Sequence, residues 1–225
     1  MRLDKFISTT TTLSRAEAKK IIKKGILIND NLVKSPDYKV DEINDQIMVN
    51  GERLIYQKYS YIMMNKPKNV VSATEDAIEK TVVDILEEKD RINKVFPVGR
   101  LDKDTEGLML LTNDGELAHK LISPKKDVEK KYYVEVSGEL KEEHIKLIKD
   151  GLTIDGGYKC KSARLEILES SKERSRAYIF ITEGKFHQVK RMMKSLATTV
   201  TYLKRLSIGT LILDENLKLG EYRYL

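Results

Sequence analysis

A short acidic turn between two apolar runs is the most constraining feature of this sequence. Residues 99–107 read GRLDKDTEG, and the flanking residues 95–98 and 108–111 are apolar and strand-like. Rigid strands on either side of a reachable turn are a common setting for reacting groups. Asp102 follows Arg100 by two positions and has apolar neighbours. It is therefore the candidate nucleophile or general base of the turn.

Composition narrows the class of protein. The chain has 225 residues, of which 40% are hydrophobic, and this length fits one substantial domain with a smaller one. No apolar run approaches the ~20 residues that span a bilayer, and the N-terminus lacks the apolar core of a signal peptide. The single cysteine, Cys160, excludes an internal disulfide and a multi-cysteine zinc site. We therefore expect a cytoplasmic protein with no membrane partner.

Basic residues concentrate in two zones of a chain whose formal net charge is +6. Residues 1–24 hold seven basic and two acidic residues, and residues 184–213 hold six basic residues and no acidic one. This distribution is typical of a nucleic-acid binder. In the first zone, Ser14 and Glu17 have the spacing of a capping box, which predicts the start of a helix. The basic side chains that share one exposed stripe of this helix are Arg15, Lys19 and Lys23.

The N-terminal segment resembles the S4 RNA-binding domain. The motifs that carry the resemblance are RLDKF at 2–6, SRAEA at 14–18 and GILIN at 25–29. The resemblance implies that the second helix faces structured RNA, so Arg15, Lys19 and Lys23 are predicted RNA-binding residues. We place this domain at residues 1–58.

The remaining pattern alternates strands with short helices without regular βαβ spacing, which predicts a mixed α+β domain. Helices are predicted over residues 2–7, 14–24, 81–88, 114–121, 140–150 and 185–197. A loop is predicted over 8–12, a hairpin turn at 50–51, a linker over 52–60, and strands over 61–67, 130–136, 165–168 and 177–182. In the last helix, the predicted buried stripe consists of Phe186, Val189, Met193 and Leu196.

The residues of the acidic turn alone leave two interpretations of its function open. A calcium loop would need a bidentate glutamate at its twelfth position, where this chain has Asn113. A solvated surface turn and a catalytic aspartate acting on bound RNA both fit the remaining pattern. In the second case Asp104, Glu106 and Gly107 would shape the turn, and only Asp102 would take part in chemistry.

Four motifs resemble the pseudouridine synthases of the RsuA/RluB group. They are NKP at 65–67, GRLDKDTEGL at 99–108, KKY at 130–132 and EGKFHQVKRM at 183–192. The resemblance implies that Asp102 is catalytic, that Tyr132 stacks on the target uracil and that Lys190 is the cationic partner of Asp102. Related synthases often carry arginine at the position of Lys190, and an ammonium lacks the planar fork of a guanidinium.

Three further residues complete the predicted site. Arg100 is assigned to a substrate phosphate or to the flipped base, and His187 and Arg191 are assigned to RNA. Tyr133 competes with Tyr132 for the stacking role, but strand alternation points the two rings to opposite faces of a sheet. Only one of them can line the site.

The resemblance also implies the fold and the reaction. We expect an S4 domain and, over residues 59–225, a mixed, largely antiparallel-sheet catalytic domain. The expected reaction isomerises a specific uridine of 16S ribosomal RNA to pseudouridine without a metal or cofactor. The same reaction on 23S ribosomal RNA and a non-catalytic ribosome-assembly factor remain as alternatives. We expect a monomer whose partner is ribosomal RNA, either free or within a ribosomal subunit assembly intermediate.

Overall fold

The computed structural model describes all 225 residues and divides into two compact units. The first consists of Met1–Ser60 and Leu86–Val95, and the second consists of Tyr61–Ile85 and Phe96–Leu225. None of the helices combines the length and the apolar composition needed to cross a membrane.

The first unit packs helices beside a four-stranded antiparallel sheet. Its helices are α1 (Leu3–Thr10), α2 (Arg15–Lys24) and the short α3 (Glu88–Arg91). Its strands are β1 (Ile26–Ile28), β2 (Asn31–Val33), β3 (Ile47–Val49) and β4 (Glu52–Leu54), in the order β2-β1-β3-β4. Leu3, Phe6, Ile22 and Ile47 are fully buried and form the centre of this unit's core.

The start and the end of α2 confirm the sequence prediction. The Ser14 hydroxyl accepts a bond from the backbone N–H of Glu17 at 3.2 Å, and the Glu17 carboxylate accepts one from the backbone N–H of Ser14 at 2.8 Å. These two bonds satisfy amides that the first turn of a helix leaves unpaired. Gly25 ends the helix at a positive φ of 116°.

Two predictions for this unit are wrong in part. Residues 8–10, predicted as loop, continue α1 because the hydroxyls of Thr9 and Thr10 donate to the carbonyl oxygens of Lys5 and Phe6, each at 2.9 Å. Hydroxyls that bond back to the preceding turn in this way are compatible with a helix. The predicted linker over 52–60 begins too early, because residues 52–54 form β4 after the predicted turn at 50–51.

The second unit is built on a large mixed sheet. Its helices are α4 (Gly115–Ile122), α5 (Glu142–Lys149) and α6 (Gln188–Ser195). Its strands are β5 (Tyr61–Lys66), β6 (Phe96–Pro97), β7 (Glu106–Thr112), β8 (Lys130–Ser137), β9 (Thr153–Ile154), β10 (Tyr158–Lys159), β11 (Arg164–Ser170), β12 (Arg174–Ile181), β13 (Thr199–Ile208), β14 (Leu211–Ile212) and β15 (Tyr222–Tyr224).

The strand order confirms the predicted α+β class with a largely antiparallel sheet. The main sheet runs β11-β12-β8-β13-β7-β5-β15, with β14 beside β13 and β6 beside β7. Only the β13–β7 pair is parallel. All seven residues of β7 are buried, and β8 alternates between buried and half-exposed residues. The acidic turn leads directly into β7, so one end of it is anchored in the core of the sheet.

Two helix predictions for residues 81–88 and 185–197 need correction. No helix covers residues 81–86, where the Asp84 carboxylate accepts bonds from the backbone N–H and the hydroxyl of Thr81 and replaces backbone pairing. Helix α6 begins only at Gln188, because His187 has a left-handed backbone with φ 50°. Phe186 therefore precedes the helix and is 69% exposed, whereas Val189, Met193 and Leu196 are buried as predicted.

Candidate active site

Backbone hydrogen bonds hold the acidic turn in a fixed shape. The N–H of Thr105 donates to the carbonyl oxygen of Asp102 at 3.0 Å, and the N–H of Asn69 donates to that of Lys103 at 2.8 Å. The buried Ser72 hydroxyl donates to the carbonyl of Leu101 at 2.8 Å and accepts from its N–H at 3.0 Å. The backbone on both sides of the Asp102 side chain is thus fixed by neighbouring segments.

A fully buried ammonium group lies beneath the turn. Lys66, the last residue of β5, donates from Nζ to the carbonyl oxygens of Asp102 at 3.1 Å and Thr105 at 2.9 Å, and also to that of Pro67. Burial lowers the pKa of Lys66 to about 8. The sequence prediction quoted this lysine in the NKP motif but assigned it no role. A lysine at the end of a strand that is otherwise mainly apolar was the available signal, because a buried lysine needs carbonyl or carboxylate partners.

Gly107 allows β7 to approach β13 closely. It has a φ of 103°, and a Cβ built there would lie 2.2 Å from the backbone oxygen of Arg205. Next to it, the Glu106 carboxylate is buried and accepts a bond from the Tyr202 hydroxyl at 2.6 Å. These contacts support the predicted role of Glu106 and Gly107 in shaping the turn.

The Asp102 carboxylate meets two residues of the α6 region. Its Oδ2 lies 2.9 Å from Nζ of Lys190, and its Oδ1 lies 3.6 Å from Nε2 of His187. The Asp102 side chain is 27% exposed, so the carboxylate is both paired and reachable from solvent. The structure thus brings together the predicted catalytic residue and its predicted cationic partner.

Lys190 also contacts a second carboxylate, that of Asp104, at 2.6 Å. Burial alone would lower the pKa of Lys190, but the bonds to Asp104 and Asp102 outweigh it and raise the value. Burial likewise opposes ionisation of Asp104, and the bond from Lys190 holds its pKa below the ordinary value. Asp104 was predicted only to shape the turn, and the structure shows that it shares the cation of Asp102.

A buried polar network fixes the loop that leads into α6. Gln188 donates from Nε2 to the Glu183 carboxylate at 2.6 Å and accepts from the N–H of Lys185 at 2.9 Å. Glu183 also accepts a bond from the Tyr158 hydroxyl at 2.7 Å. This network holds the chain on both sides of His187, whose left-handed backbone aims its ring at Asp102. The motif at 183–192 contains both Glu183 and Gln188, but their contact was not predicted.

A pocket opens next to the Asp102 carboxylate. The residues that line it include Asp102, Lys190, His187, Tyr132, Arg100 and Leu203. Arg100 is exposed at the pocket and makes no ion pair. Tyr133 lies on the opposite face of the sheet, where its ring contacts those of Tyr178 and Tyr202. Of the two tyrosines, Tyr132 lines the pocket and Tyr133 does not, which agrees with strand alternation.

The predicted RNA-binding residues differ in their surroundings. The Arg191 guanidinium is bound by Asp155 and by the carbonyl oxygen of Phe186, and it does not line the pocket. In the first unit, Arg15 makes a two-pronged contact of 3.2 Å with the buried carboxylate of Asp4, and Lys19 lies 4.0 Å from it. Lys23 is exposed and makes no ion pair.

The chain matches known proteins over its whole length. Residues 60–195 match the family model of RNA pseudouridylate synthase, and residues 1–47 match that of the S4 domain. An uncharacterised RNA pseudouridine synthase of Bacillus subtilis (strain 168), YtzG, is 46% identical over 100% of this chain and 95% of its own length. Ribosomal small subunit pseudouridine synthase A of Haemophilus influenzae is 37% identical over 99% of this chain and 95% of its own length.

A solved structure agrees with these matches. A crystal structure of a pseudouridylate synthase superposes with a TM-score of 0.69 at 36% identity, covering 100% of this chain and 96% of that one. A family model that spans more than half of the chain, together with relatives that share its whole length, settles the classification. The chain belongs to the RNA pseudouridylate synthase family and carries an S4 domain at its N-terminus.

Proposed function

We propose that this protein converts one uridine of 16S ribosomal RNA to pseudouridine and that Asp102 is its catalytic residue. The observation that carries the proposal is the 2.9 Å contact between Asp102 and Lys190 in a pocket lined by Tyr132. The choice of small-subunit RNA is supported by the relative from Haemophilus influenzae, which is named for that subunit.

The reaction requires a carboxylate, an aromatic surface and a nearby cation. The bond between N1 of uracil and C1′ of ribose breaks, a bond between C5 and C1′ forms, N1 gains a proton and C5 loses one. The Asp102 carboxylate can attack the sugar or the base, or stabilise positive charge on the ribose. Lys190 holds this carboxylate through a contact of 2.9 Å.

Tyr132 offsets the cost of presenting the base. Removing a uridine from its stack costs a few kcal/mol, and stacking on an aromatic side chain returns ~1–3 kcal/mol per base. The exposed guanidinium of Arg100 at the mouth of the pocket is suited to a phosphate or to the flipped base, and His187 to the RNA next to it. Arg191 would contact RNA only after leaving Asp155.

In this proposal the two parts of the chain have different roles, RNA docking and catalysis. Residues 1–58 dock the RNA through Arg15, Lys19 and Lys23, and residues 59–225 carry out the reaction. The protein acts as a monomer in the cytoplasm, on free ribosomal RNA or on a partly assembled subunit. Light scattering of the purified protein measures its molar mass in solution and thereby tests whether it is a monomer.

The test uses RNA labelled with tritium at C5 of uridine, because the C5 hydrogen is released when the new bond forms. Wild-type protein is expected to release tritium from 16S RNA, and Asp102→Asn is expected to lower the rate at least about 10³-fold with RNA affinity within twofold. Retained activity in Asp102→Asn would exclude the assigned mechanism. Release of tritium from 23S RNA alone would identify large-subunit RNA as the substrate. RNA binding without tritium release would indicate an assembly factor.

A further inference from the structure

A second pocket adjoins the active-site pocket. The two pockets share four lining residues, Arg100, Tyr132, Gly184 and Lys185. Apolar side chains, including Val98, Leu121 and Ile208, form part of the wall of the second pocket, and the basic residues Lys130 and Arg205 line it as well. None of these basic residues except Arg100 has a role in the proposed reaction.

The register of the sheet places the two cations together. Arg205 on β13 is the cross-strand partner of Tyr132 on β8. Lys130 lies two residues before Tyr132, so it points to the same face of the sheet. Lys130 and Arg205 are 8% and 2% exposed, respectively. The β8–β13 pair therefore carries two buried positive charges next to the proposed base-stacking residue.

Neither buried cation has a counter-ion. Nζ of Lys130 donates to the carbonyl oxygen of Val128 at 2.9 Å, and Nε of Arg205 donates to that of Leu108 at 2.8 Å. One terminal nitrogen of Arg205, Nη2, is buried and reaches no acceptor. Neither residue takes part in an ion pair. Burial, together with the charge of Arg205, lowers the pKa of Lys130.

The one carboxylate that lines this pocket is already engaged. Glu183 accepts bonds from the Tyr158 hydroxyl, from Nε2 of Gln188 and from the backbone N–H of Lys161. At the mouth, the exposed side chains of Arg100 and Lys185 add two more positive charges. The pocket therefore holds four cationic side chains against one carboxylate that serves another network.

A buried charge without a partner is costly, and a bound anion removes that cost. The planar guanidinium of arginine binds phosphate oxygens well, because its N–H groups match their geometry. RNA supplies one phosphate per nucleotide, and a base that stacks on Tyr132 brings its own neighbouring phosphates close to this pocket. The unused nitrogen of Arg205 and the ammonium of Lys130 are the donors available to such a group.

We propose that this pocket, with Lys130 and Arg205 as its donors, is a phosphate subsite that holds a backbone phosphate next to the target uridine. This inference rests on the proposed function for the identity of the RNA. The subsite fixes the RNA backbone while the base enters the adjoining pocket that contains Asp102.

The first arm of the test measures binding of inorganic phosphate to the full chain by calorimetry, at constant ionic strength. Lys130→Met is the test variant, and Lys131→Met is the matched control, because Lys131 lies on the same strand and its ammonium is held over the Tyr178 ring on the other face. Lys130→Met is expected to bind phosphate at least tenfold more weakly than wild type, and Lys131→Met to match wild type. Equal binding by all three proteins would overturn the proposal.

The second arm distinguishes an RNA phosphate from a free ion. Single methylphosphonates, which are uncharged, replace each phosphate around the target uridine of a short RNA. One position is expected to weaken binding about tenfold in wild type and in Lys131→Met and to have no effect in Lys130→Met. Inorganic phosphate binding with no such position would mean an adventitious ion only, which overturns the proposal.

Both arms measure binding, so they separate this inference from the proposed reaction. A protein that shows the phosphate effect but forms no pseudouridine would contradict the proposed function and support the subsite. If Lys130→Met does not fold, Lys185→Met at the exposed mouth provides the same comparison, with an expected weakening of about threefold. An unchanged response in Lys185→Met would then count against the subsite.

Discussion

Lys190 contacts two carboxylates of the acidic turn at once. Its Nζ lies 2.9 Å from Asp102 and 2.6 Å from Asp104. Without Lys190 the two carboxylates would repel each other with no shared cation between them. One ammonium group therefore forms ion pairs with both Asp102 and Asp104.

Replacement of Lys190 tests this role. Lys190→Met is expected to lower kcat for pseudouridine formation on the order of 100-fold, because the carboxylate of Asp102 loses its only ammonium partner. Lys190→Arg keeps the charge and is expected to retain most of the activity. The measurement is tritium release at saturating RNA for both variants. Equal losses in the two variants would show that the charge of Lys190 is not what the site requires.

For single residues, the sequence predicted one contact of the site and missed another. The resemblance and strand alternation predicted that Asp102, Lys190 and Tyr132 lie together, and the structure places all three at one pocket. The contact between Lys190 and Asp104 joins residues 86 positions apart, and it leaves no pattern in a single sequence because it depends on how α6 packs against the turn. The position of Lys66 at the end of an apolar strand signals a buried ammonium, but the sequence does not show which carbonyl oxygens bind it.

At the level of elements, the turn depends on the close approach of β7 and β13. Gly107 lies opposite Arg205 in the only parallel strand pair. A side chain at this position would meet backbone atoms, which cannot move aside as a flexible side chain can. The pairing that positions the acidic turn thus requires glycine at residue 107.

Gly107→Ala is expected to lower the free energy of unfolding by at least about 2 kcal/mol, through a clash with the Arg205 backbone and a positive φ. Gly115→Ala is the matched control, because Gly115 lies in the first turn of α4 and has open space around it. It is expected to leave stability unchanged or raise it by up to about 1 kcal/mol. Urea unfolding of both variants measures the difference. A stable Gly107→Ala protein would show that β7 and β13 can separate without cost.

The pair of helices α1 and α2 is joined by a buried acid that responds to pH. Burial alone would raise the pKa of Asp4, but hydrogen bonds from Arg15 and Arg2 lower it to about 2. A lowered pKa stabilises the folded state above the ordinary value of about 4, and this contribution is lost as the pH falls towards 2.

Asp4→Asn is therefore expected to be less stable than wild type at pH 6, and the gap is expected to narrow as the pH falls from about 4 to 2. Thermal unfolding of the two proteins across this range gives the measurement. A gap that stays constant with pH would show that the charge of Asp4 does not contribute.

The sequence pattern predicted some helices accurately and others not. Spacing and capping residues predicted α2, α4 and α5 closely, because each has a continuous apolar stripe. The similar spacing at 81–88 forms no helix before residue 88, since Asp84 binds Thr81 instead. The start of α6 was misplaced because a left-handed residue, His187, interrupts an apparent stripe.

For the whole molecule, the basic stripe of α2 in the first unit is predicted to contribute to RNA affinity, and the second unit is predicted to carry the chemistry. Arg15, Lys19 and Lys23 replaced together by Ala are expected to weaken RNA binding at least about tenfold and to reduce the salt slope of log K by about 1 to 3. Replacement of Lys146, Lys149 and Lys172, three exposed lysines of the second unit, is the control with the same loss of charge. An equal change of slope in both proteins would mean that the α2 stripe is not the RNA face.

A map of pseudouridines in ribosomal RNA from cells that lack this protein would show directly whether Asp102 modifies 16S RNA. We expect that one pseudouridine of 16S RNA disappears, that the wild-type chain restores it, and that Asp102→Asn at equal abundance does not. A complete set of pseudouridines in the deleted strain, or restoration by Asp102→Asn, would contradict this expectation.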